Sequence, residues 1–432
     1  MTAPRILRAT RASLRGVLTA CVFLVGAIGS VSAQQVSAVA ADTFRLTDAR
    51  SETLRGNPML RAARIRADMA AYRAPQGGAL PDPVVGIGLR NRPLDGFGTD
   101  ERMTMNVLEV SQRFPWPGSL GSREESREHF AQAETLEADD VEALLLARVT
   151  GAYYRIAAID RSAEVLLETG DLLRDFERVT GARYSVGEGL QQDILQAQIA
   201  VARTEADLRV LVEQRSAAGA RLNALLGRIV NEPIGPVELP MNFAAVPSVE
   251  VLMERAAALR PALLAARERI RAAEAGVKAA HRASYPELSL MLGYGQRPQY
   301  ADMATIMVGV SVPLWSGSKQ TPRRREAEAD AALQHAQAMD LYSETFARLS
   351  ELRAAAERAR DLADLYRNSI LPQAGAAVES ALSAYRVGKV DYMTLLANQL
   401  TVHRYRLDLL RLTAEYHTAL AEIEALTGME VS

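Results

Sequence analysis

Arg183-Tyr184-Ser185-Val186-Gly187-Glu188-Gly189 returns 201 positions later as Ala384-Tyr385-Arg386-Val387-Gly388-Lys389-Val390. The shared Tyr-x-Val-Gly opens an ungapped match from Tyr184 to Gly227 and from Tyr385 to Gly428, with 15 identities in 44 positions. Leu195/Leu396, Gln198/Gln399, Asp207/Asp408 and Leu211/Leu412 are among them. A second echo lies upstream, where Asn57-Pro58-Met59-Leu60 is answered by Arg260-Pro261-Ala262-Leu263. A period this long predicts one structural unit written twice. The expected division is a first unit over 34–230, a proline-rich linker over 231–248 and a second unit over 249–432.

What precedes the first unit reads as a leader. Arg5, Arg8, Arg11 and Arg15 are followed by an apolar run from Val17 to Gly29 and the small-residue site Val31-Ser32-Ala33. This pattern predicts a signal peptide over 1–33, since the run is shorter than the ~20 residues a membrane helix needs. Without those arginines the formal charge of −2 becomes −6, which argues against nucleic acid as a partner. Cys21, the single cysteine, falls inside the leader. Leu18-Thr19-Ala20-Cys21 resembles a lipoprotein box, but so little apolar sequence precedes it that Cys21 reads as an ordinary leader residue. An exported chain with no disulfide must be stabilised by packing or assembly.

Between the echoes the elements follow in the same order twice. Leu46 to Arg73 has helical periodicity broken at Asn57-Pro58, with Pro81 and Pro83 as stops, and Val249 to Ala283 has the same pattern up to Pro286. Strand-like runs follow at Val84–Leu89 and Met103–Arg113, and again from Glu287 to Gly295 and from Ile306 to Val312. In the second pair, apolar Leu288, Leu290, Leu292, Ile306, Val308 and Val310 alternate with small or polar residues. Each pair closes on a proline-tryptophan stretch, Phe114-Pro115-Trp116-Pro117-Gly118 or Pro313-Leu314-Trp315-Ser316-Gly317. Then come long helices, from about Glu124 to Val186 and from about Pro322 to Val387, the second bent at Pro372. At 1.5 Å per residue, ~60 residues reach ~90 Å. Helices run back from about Leu190 to Leu226 and from Asp391 to Thr427. In the last of these, Leu409, Leu412, Tyr416, Ala419, Ile423 and Leu426 form a coiled-coil seam; its twin carries Leu208, Leu211, Ala218, Leu222 and Leu225, with Arg215 out of place.

Four strands of this length suit tilted membrane spans, yet four cannot close a barrel and lipid does not tolerate open edges. Either two or three chains pool their strands, or the strands form a small antiparallel sheet packed on helices. The fold class is therefore mainly α, with long coiled-coil helices and four strands per chain. The duplicated Asn/Arg-Pro helix break, the strand pair before each long helix, the twin Tyr-x-Val-Gly turns and the Leu-Gly and Thr-Gly helix ends together resemble the outer-membrane efflux proteins of the TolC family. Phe114-Pro115-Trp116-Pro117-Gly118 is similar to the form found in members serving heavy-metal efflux.

The resemblance implies a homotrimer, with a shared twelve-stranded barrel in the outer membrane and a periplasmic α-barrel. It implies a passive exit duct, not an enzyme, with no cofactor. Its implied partners are a periplasmic adaptor (membrane fusion) protein, an inner-membrane RND-type pump and outer-membrane lipid. A type I secretion duct would share this architecture, and a periplasmic coiled-coil scaffold is the reading from another class. By position, Val186, Gly187, Glu188, Val387, Gly388 and Lys389 correspond to the family's adaptor-contacting tips. Asp193 and Tyr385 correspond to its periplasmic gate. Turn chemistry alone also explains the tips, and helix capping and packing also explain Asp193 and Tyr385. Thr394 stands where a further acidic gate residue is expected.

No nucleophile elbow, phosphate loop or pair of catalytic carboxylates is present. His129, His281, His335, His403 and His417 lack ligand spacing and read as packing or surface residues. Met103, Met105, Met291, Met303 and Met307 gather around the strands, where thioethers serve either as apolar filler or as soft-metal contacts. Arg323-Arg324-Arg325 is a short basic run at a helix start, read either as a solvated stretch or as one facing lipid headgroups.

Overall fold

Asn57 shows how the first predicted break is built. In the computed structural model, which describes residues 43–94, 98 and 100–428, helix α1 (Leu46–Gly56) ends there and α2 (Pro58–Arg73) begins. The Asn57 carboxamide oxygen accepts from the amides of Met59 (2.8 Å) and Leu60 (3.1 Å), satisfying donors a helix start leaves open. Its Nδ2 donates to the Leu225 carbonyl at 2.7 Å, so one side chain caps α2 and ties it to the end of a distant helix. Pro75 opens a short 3₁₀ turn (Pro75–Gly77), so α2 stops well before Pro81. The predicted leader and Cys21 lie outside the described residues.

Strands β1 (Val84–Arg90) and β2 (Met105–Phe114) lead to α3 (Ser119–Ser185), and α4 (Gln191–Leu226) returns beside it. The 67 residues of α3 span about 100 Å at 1.5 Å each. It starts earlier than expected because Gly118, at φ 78°, supplies the reversal that ends the strand segment. The order then recurs: α5 (Val249–Leu259), α6 (Pro261–Arg282), β3 (Glu287–Gln296), β4 (Met303–Ser311), α7 (Gln320–Leu365), α8 (Leu371–Arg386) and α9 (Tyr392–Thr427). Between α7 and α8 the bend expected at Pro372 takes the form of one π-helical turn, Tyr366–Ile370. Proline has no N–H for the carbonyl four residues back and its ring crowds that carbonyl, and a wider turn relieves both.

The predicted seam of α9 is buried throughout, packed on Leu252, Met253, Leu349 and Leu352. A second cluster joins Ala49, Val149, Ile156, Leu222 and Leu226. Arg215, the residue out of place in the α4 seam, reaches Asp160 of α3 (2.6 Å) and the carbonyl of Ile234 (3.1 Å). Residues 231–248 are not a free linker. Ile234, Val237, Leu239 and Val246 are buried, and two phenols hold the backbone like a strap. The Tyr153 hydroxyl donates to Phe44 O (2.9 Å) and accepts from Glu238 N (3.2 Å), and Tyr416 does the same with both polar atoms of Ala244. None of the described helices is long and apolar enough to cross a membrane.

The sheet is antiparallel in the order β1-β2-β3-β4, so β2 and β3 pair although the whole first helical hairpin lies between them. Its register sorts most of the residues, although Asn106 and Gln112 share the apolar face and Val84 and Val107 the other. Ile87 pairs with Leu108, Leu108 with Tyr294, and Leu290 with Val308, which places Val85, Ile87, Leu89, Leu108, Val110, Leu292, Ile306, Val308 and Val310 on one face. Alternate residues fall on the other face, with Gly86, Gly88, Glu109, Ser111, Ser289, Met291, Gly293, Thr305, Met307 and Gly309. The apolar face is solvent-exposed in the single chain, Ile87 by 87% and Ile306 by 74%.

Candidate functional site

Both helical hairpins turn in the same way. Val186 ends α3, Gly187 takes φ 78°, and the amides of Gly187 and Glu188 return to the carbonyls of Tyr184 (3.0 Å) and Arg183 (2.9 Å). Gly388, at φ 69°, repeats the pair of bonds to Tyr385 (3.1 Å) and, through Lys389, to Ala384 (2.9 Å). This is a Schellman motif, and its left-handed residue favours glycine. A Cβ on Gly187 or Gly388 would meet nothing within 4 Å, so the requirement at both is backbone conformation rather than space. Val186, Glu188, Val387 and Lys389 are all exposed at these turns.

The chain brings its two tips together. The Arg183 guanidinium lies 5.0 Å from the centre of the Tyr385 ring, a cation–π contact between hairpins. Tyr385 also leans on Tyr392 at 6.2 Å, and Phe176 meets Tyr392 edge-on at 6.3 Å. Around this aromatic group close Leu173, Ala197, Ala200 and Leu396. Asp193 sits in the first turn of α4, where the helix dipole favours a carboxylate. Among the described residues it makes no hydrogen bond to Tyr385. In the second copy the start of α9 is capped by Asp391, whose carboxylate accepts from Thr394 N at 2.9 Å. Hydrogen bonds from Thr394 hold the Asp391 carboxyl below its usual range. Thr394, noted as a departure, is therefore a capped residue.

Tyr392 is the residue that sequence reasoning missed. It is 2% exposed, and among the described residues its hydroxyl has no hydrogen-bond partner. Burial, with the nearby Tyr385, Asp193 and Glu177 adding to it, pushes its phenol up to about 12. The signal was available: under the 201-residue offset Tyr392 falls on Gln191, a polar position in the first copy. A buried, unpaired hydroxyl costs roughly 1–3 kcal/mol. Tyr392→Phe is therefore expected to raise the thermal midpoint, and a lower midpoint in a melting experiment would show that the hydroxyl is satisfied.

Three of the five histidines are held by neighbouring polar groups, while His281 and His335 are exposed. His129 pairs with Glu268 (2.7 Å), His403 with Thr169 (2.9 Å), and His417 with the Pro240 carbonyl (2.9 Å). Burial lowers the pKa of His403 and His417. Among the described residues no group of three or more His, Cys, Asp or Glu could hold a metal ion.

The profile of the family described as outer membrane efflux protein matches residues 49–228 and 252–429. The chain belongs to the outer membrane efflux protein family. These two matched segments correspond closely to the two runs of repeated elements, and the TolC-family resemblance read from the twin turns stands. Among efflux-family relatives, the chain is similar to the pyoverdine export outer membrane protein OpmQ of Pseudomonas putida, 25% identical over 85% of this chain and 83% of the relative. It is also similar to the cobalt-zinc-cadmium resistance protein CzcC of Cupriavidus metallidurans, 22% identical over 65% of this chain and 67% of the relative. The fold is that of the outer membrane protein VceC of Vibrio cholerae, with a TM-score of 0.76, 19% identity, and 89% and 96% of the two chains covered.

Proposed function

We propose that this efflux-family chain assembles as a homotrimer whose four-stranded sheets close one twelve-stranded outer-membrane barrel above a periplasmic helical tunnel. The observation that carries this reading is the sheet. An exposed apolar face running across four strands needs a cover, and two open edges need partners. A lipid bilayer supplies the cover, and copies of the same chain supply the edges. A soluble scaffold would leave both unmet. The glycine-rich opposite face then lines the pore. The duplication gives each protomer two hairpins, so three protomers present six tips.

The duct is passive. A periplasmic adaptor seats against the tips around Val186-Gly187-Glu188 and Val387-Gly388-Lys389, and an inner-membrane RND-type pump supplies the energy. Substrates are heavy-metal cations or small organic compounds, the range spanned by the names of relatives in cobalt-zinc-cadmium resistance and pyoverdine export. The leader over 1–33 directs export. The test is reconstitution: heat-resistant trimers extracted by detergent, giving ion conductance in planar bilayers. A water-soluble monomer with no affinity for detergent would end this reading.

Two further predictions concern the gate and tips. Asp193 and Tyr385 are proposed as a latch that closes when neighbouring hairpins bring carboxylate and phenol together, a charge-assisted bond. Tyr385→Phe and Asp193→Ala should each raise single-channel conductance, and unchanged current in both removes the latch. Glu188 and Lys389 make the six-tip ring alternate in sign, which helps to fix adaptor register. Exchanging both charges should impair pull-down of the adaptor less than reversing one. Equal impairment would count against the ring.

A further inference from the structure

The junctions that lead from strand to long helix are equivalent in the two copies, yet among the described residues only one is satisfied. In the first, Trp116 stacks on Tyr285 at 4.9 Å and 20°. Arg282 donates to the Gly118 carbonyl at 2.7 Å and to Ser122, closing the start of α3. In the second, Trp315 is 71% exposed with no aromatic partner among the described residues, and Leu314 beside it is exposed as well. Under the 203-residue offset that relates Pro58 to Pro261, Tyr285 and Arg282 correspond to Asp82 and Ala79. A neighbouring copy therefore offers this junction neither the ring nor the guanidinium.

The charges here also run against helix physics. Lys319, Arg323, Arg324 and Arg325 are exposed at the start of α7, with no acidic residue in its first turn, while Glu326, Glu328 and Asp330 come later. The helix dipole favours the opposite order. Arg324 forms an ion pair with Glu328 at 3.4 Å; no ion pair is seen for Lys319, Arg323 or Arg325 among the described residues. The cations thus stand next to the sheet, just past the exposed apolar residues Val310 and Val312 at its helical end.

We infer that this junction is a lipid-headgroup site: Trp315 sits in the interface of the periplasmic leaflet, and Lys319, Arg323 and Arg325 bind the phosphates of anionic phospholipid. This inference rests on the barrel reading above. It follows from the chemistry of the patch, since an amphipathic indole favours the interface and guanidinium forks match phosphate. The apolar sheet face fixes the leaflet, because it ends where the cations begin.

The test uses the full mature chain carrying Trp116→Phe, so that Trp315 is its only tryptophan, reconstituted in vesicles of phosphatidylcholine and phosphatidylglycerol with one or the other brominated. Brominated phosphatidylglycerol should quench Trp315 as though enriched about fivefold or more over phosphatidylcholine at low salt, falling towards parity at high salt. The triple variant Lys319→Gln, Arg323→Gln, Arg325→Gln should lose that preference while keeping conductance and the heat-resistant trimer. Unchanged preference in the triple variant, or no quenching by either lipid, overturns the inference. Loss of the trimer in the variant also overturns it, assigning the cations to a subunit contact such as Asp82. Absence of conductance in the wild-type chain would instead strike at the duct reading itself.

Discussion

Val308→Arg is expected to cost about 2–4 kcal/mol of membrane-folded stability and to deplete the heat-resistant trimer, whereas Met307→Arg leaves insertion intact. The two positions are consecutive in β4, yet their partners in β3 are Leu290 and Met291, on opposite faces of the sheet. Under the barrel reading, arginine at 308 faces hydrocarbon, while at 307 it enters an aqueous pore and changes ion selectivity. Urea unfolding in lipid vesicles measures the first effect, and reversal potentials under a salt gradient measure the second. Equal loss of insertion by both variants would mean that the faces are not divided between lipid and water.

The second large effect concerns a buried charge. Arg260 stands where the first copy has Asn57 and offers no side-chain cap to α6. Asp140 of α3 supplies it instead, accepting from Ala262 N at 3.3 Å while its carboxylate lies 3.5 Å from Arg260. Arg260 also donates to Thr345 of α7, so one guanidinium joins three helices. The side chains of this pair are only 10% and 13% exposed, and Arg260→Ala would leave Asp140 charged in a poorly solvated place. The expected cost is about 3–5 kcal/mol, read by chemical denaturation of the detergent-solubilised protein. Because a matched apolar pair avoids stranding a charge, Arg260→Met with Asp140→Leu should lose much less. A double variant as weak as Arg260→Ala would show that the ion pair itself carries the stability.

The difference between Asn57 and Arg260 also marks how far the sequence can be read. Asn before Pro at a helix start announces its own cap, since the acceptor is local. At Arg260 the acceptor comes from a residue 120 positions earlier, and no local pattern reveals it. The second pair of strands was legible from strict alternation, the first only as extended runs between turn residues, and the tips from glycine at matching places in both copies. Pro372 announced a disturbance but not its form, because a bend, a break and a π turn all relieve the same missing donor. The burial of the linker was hidden for a related reason. Four prolines spoke for a connector, whereas the irregular spacing of Ile234, Val237, Leu239 and Val246 hid their burial. Of the candidate site, the tip residues were readable as turn chemistry. Tyr392 was passed over: its place opposite Gln191 in the first copy set it apart, but not that its hydroxyl would be buried without a partner among the described residues.

Strand β2 ends at Phe114 and its neighbour β3 begins at Glu287, with 172 residues between them. During synthesis and export the sheet can exist only as two separate hairpins, and a lone hairpin is marginal in water. On the barrel reading, the greasy surface is therefore withheld until the first helical arm has been made, and a chain not yet extended to β3 and β4 shows lipid only a fragment of it. Under that reading, interleaving a helical arm between the strand pairs ties completion of the membrane-facing surface to completion of that arm.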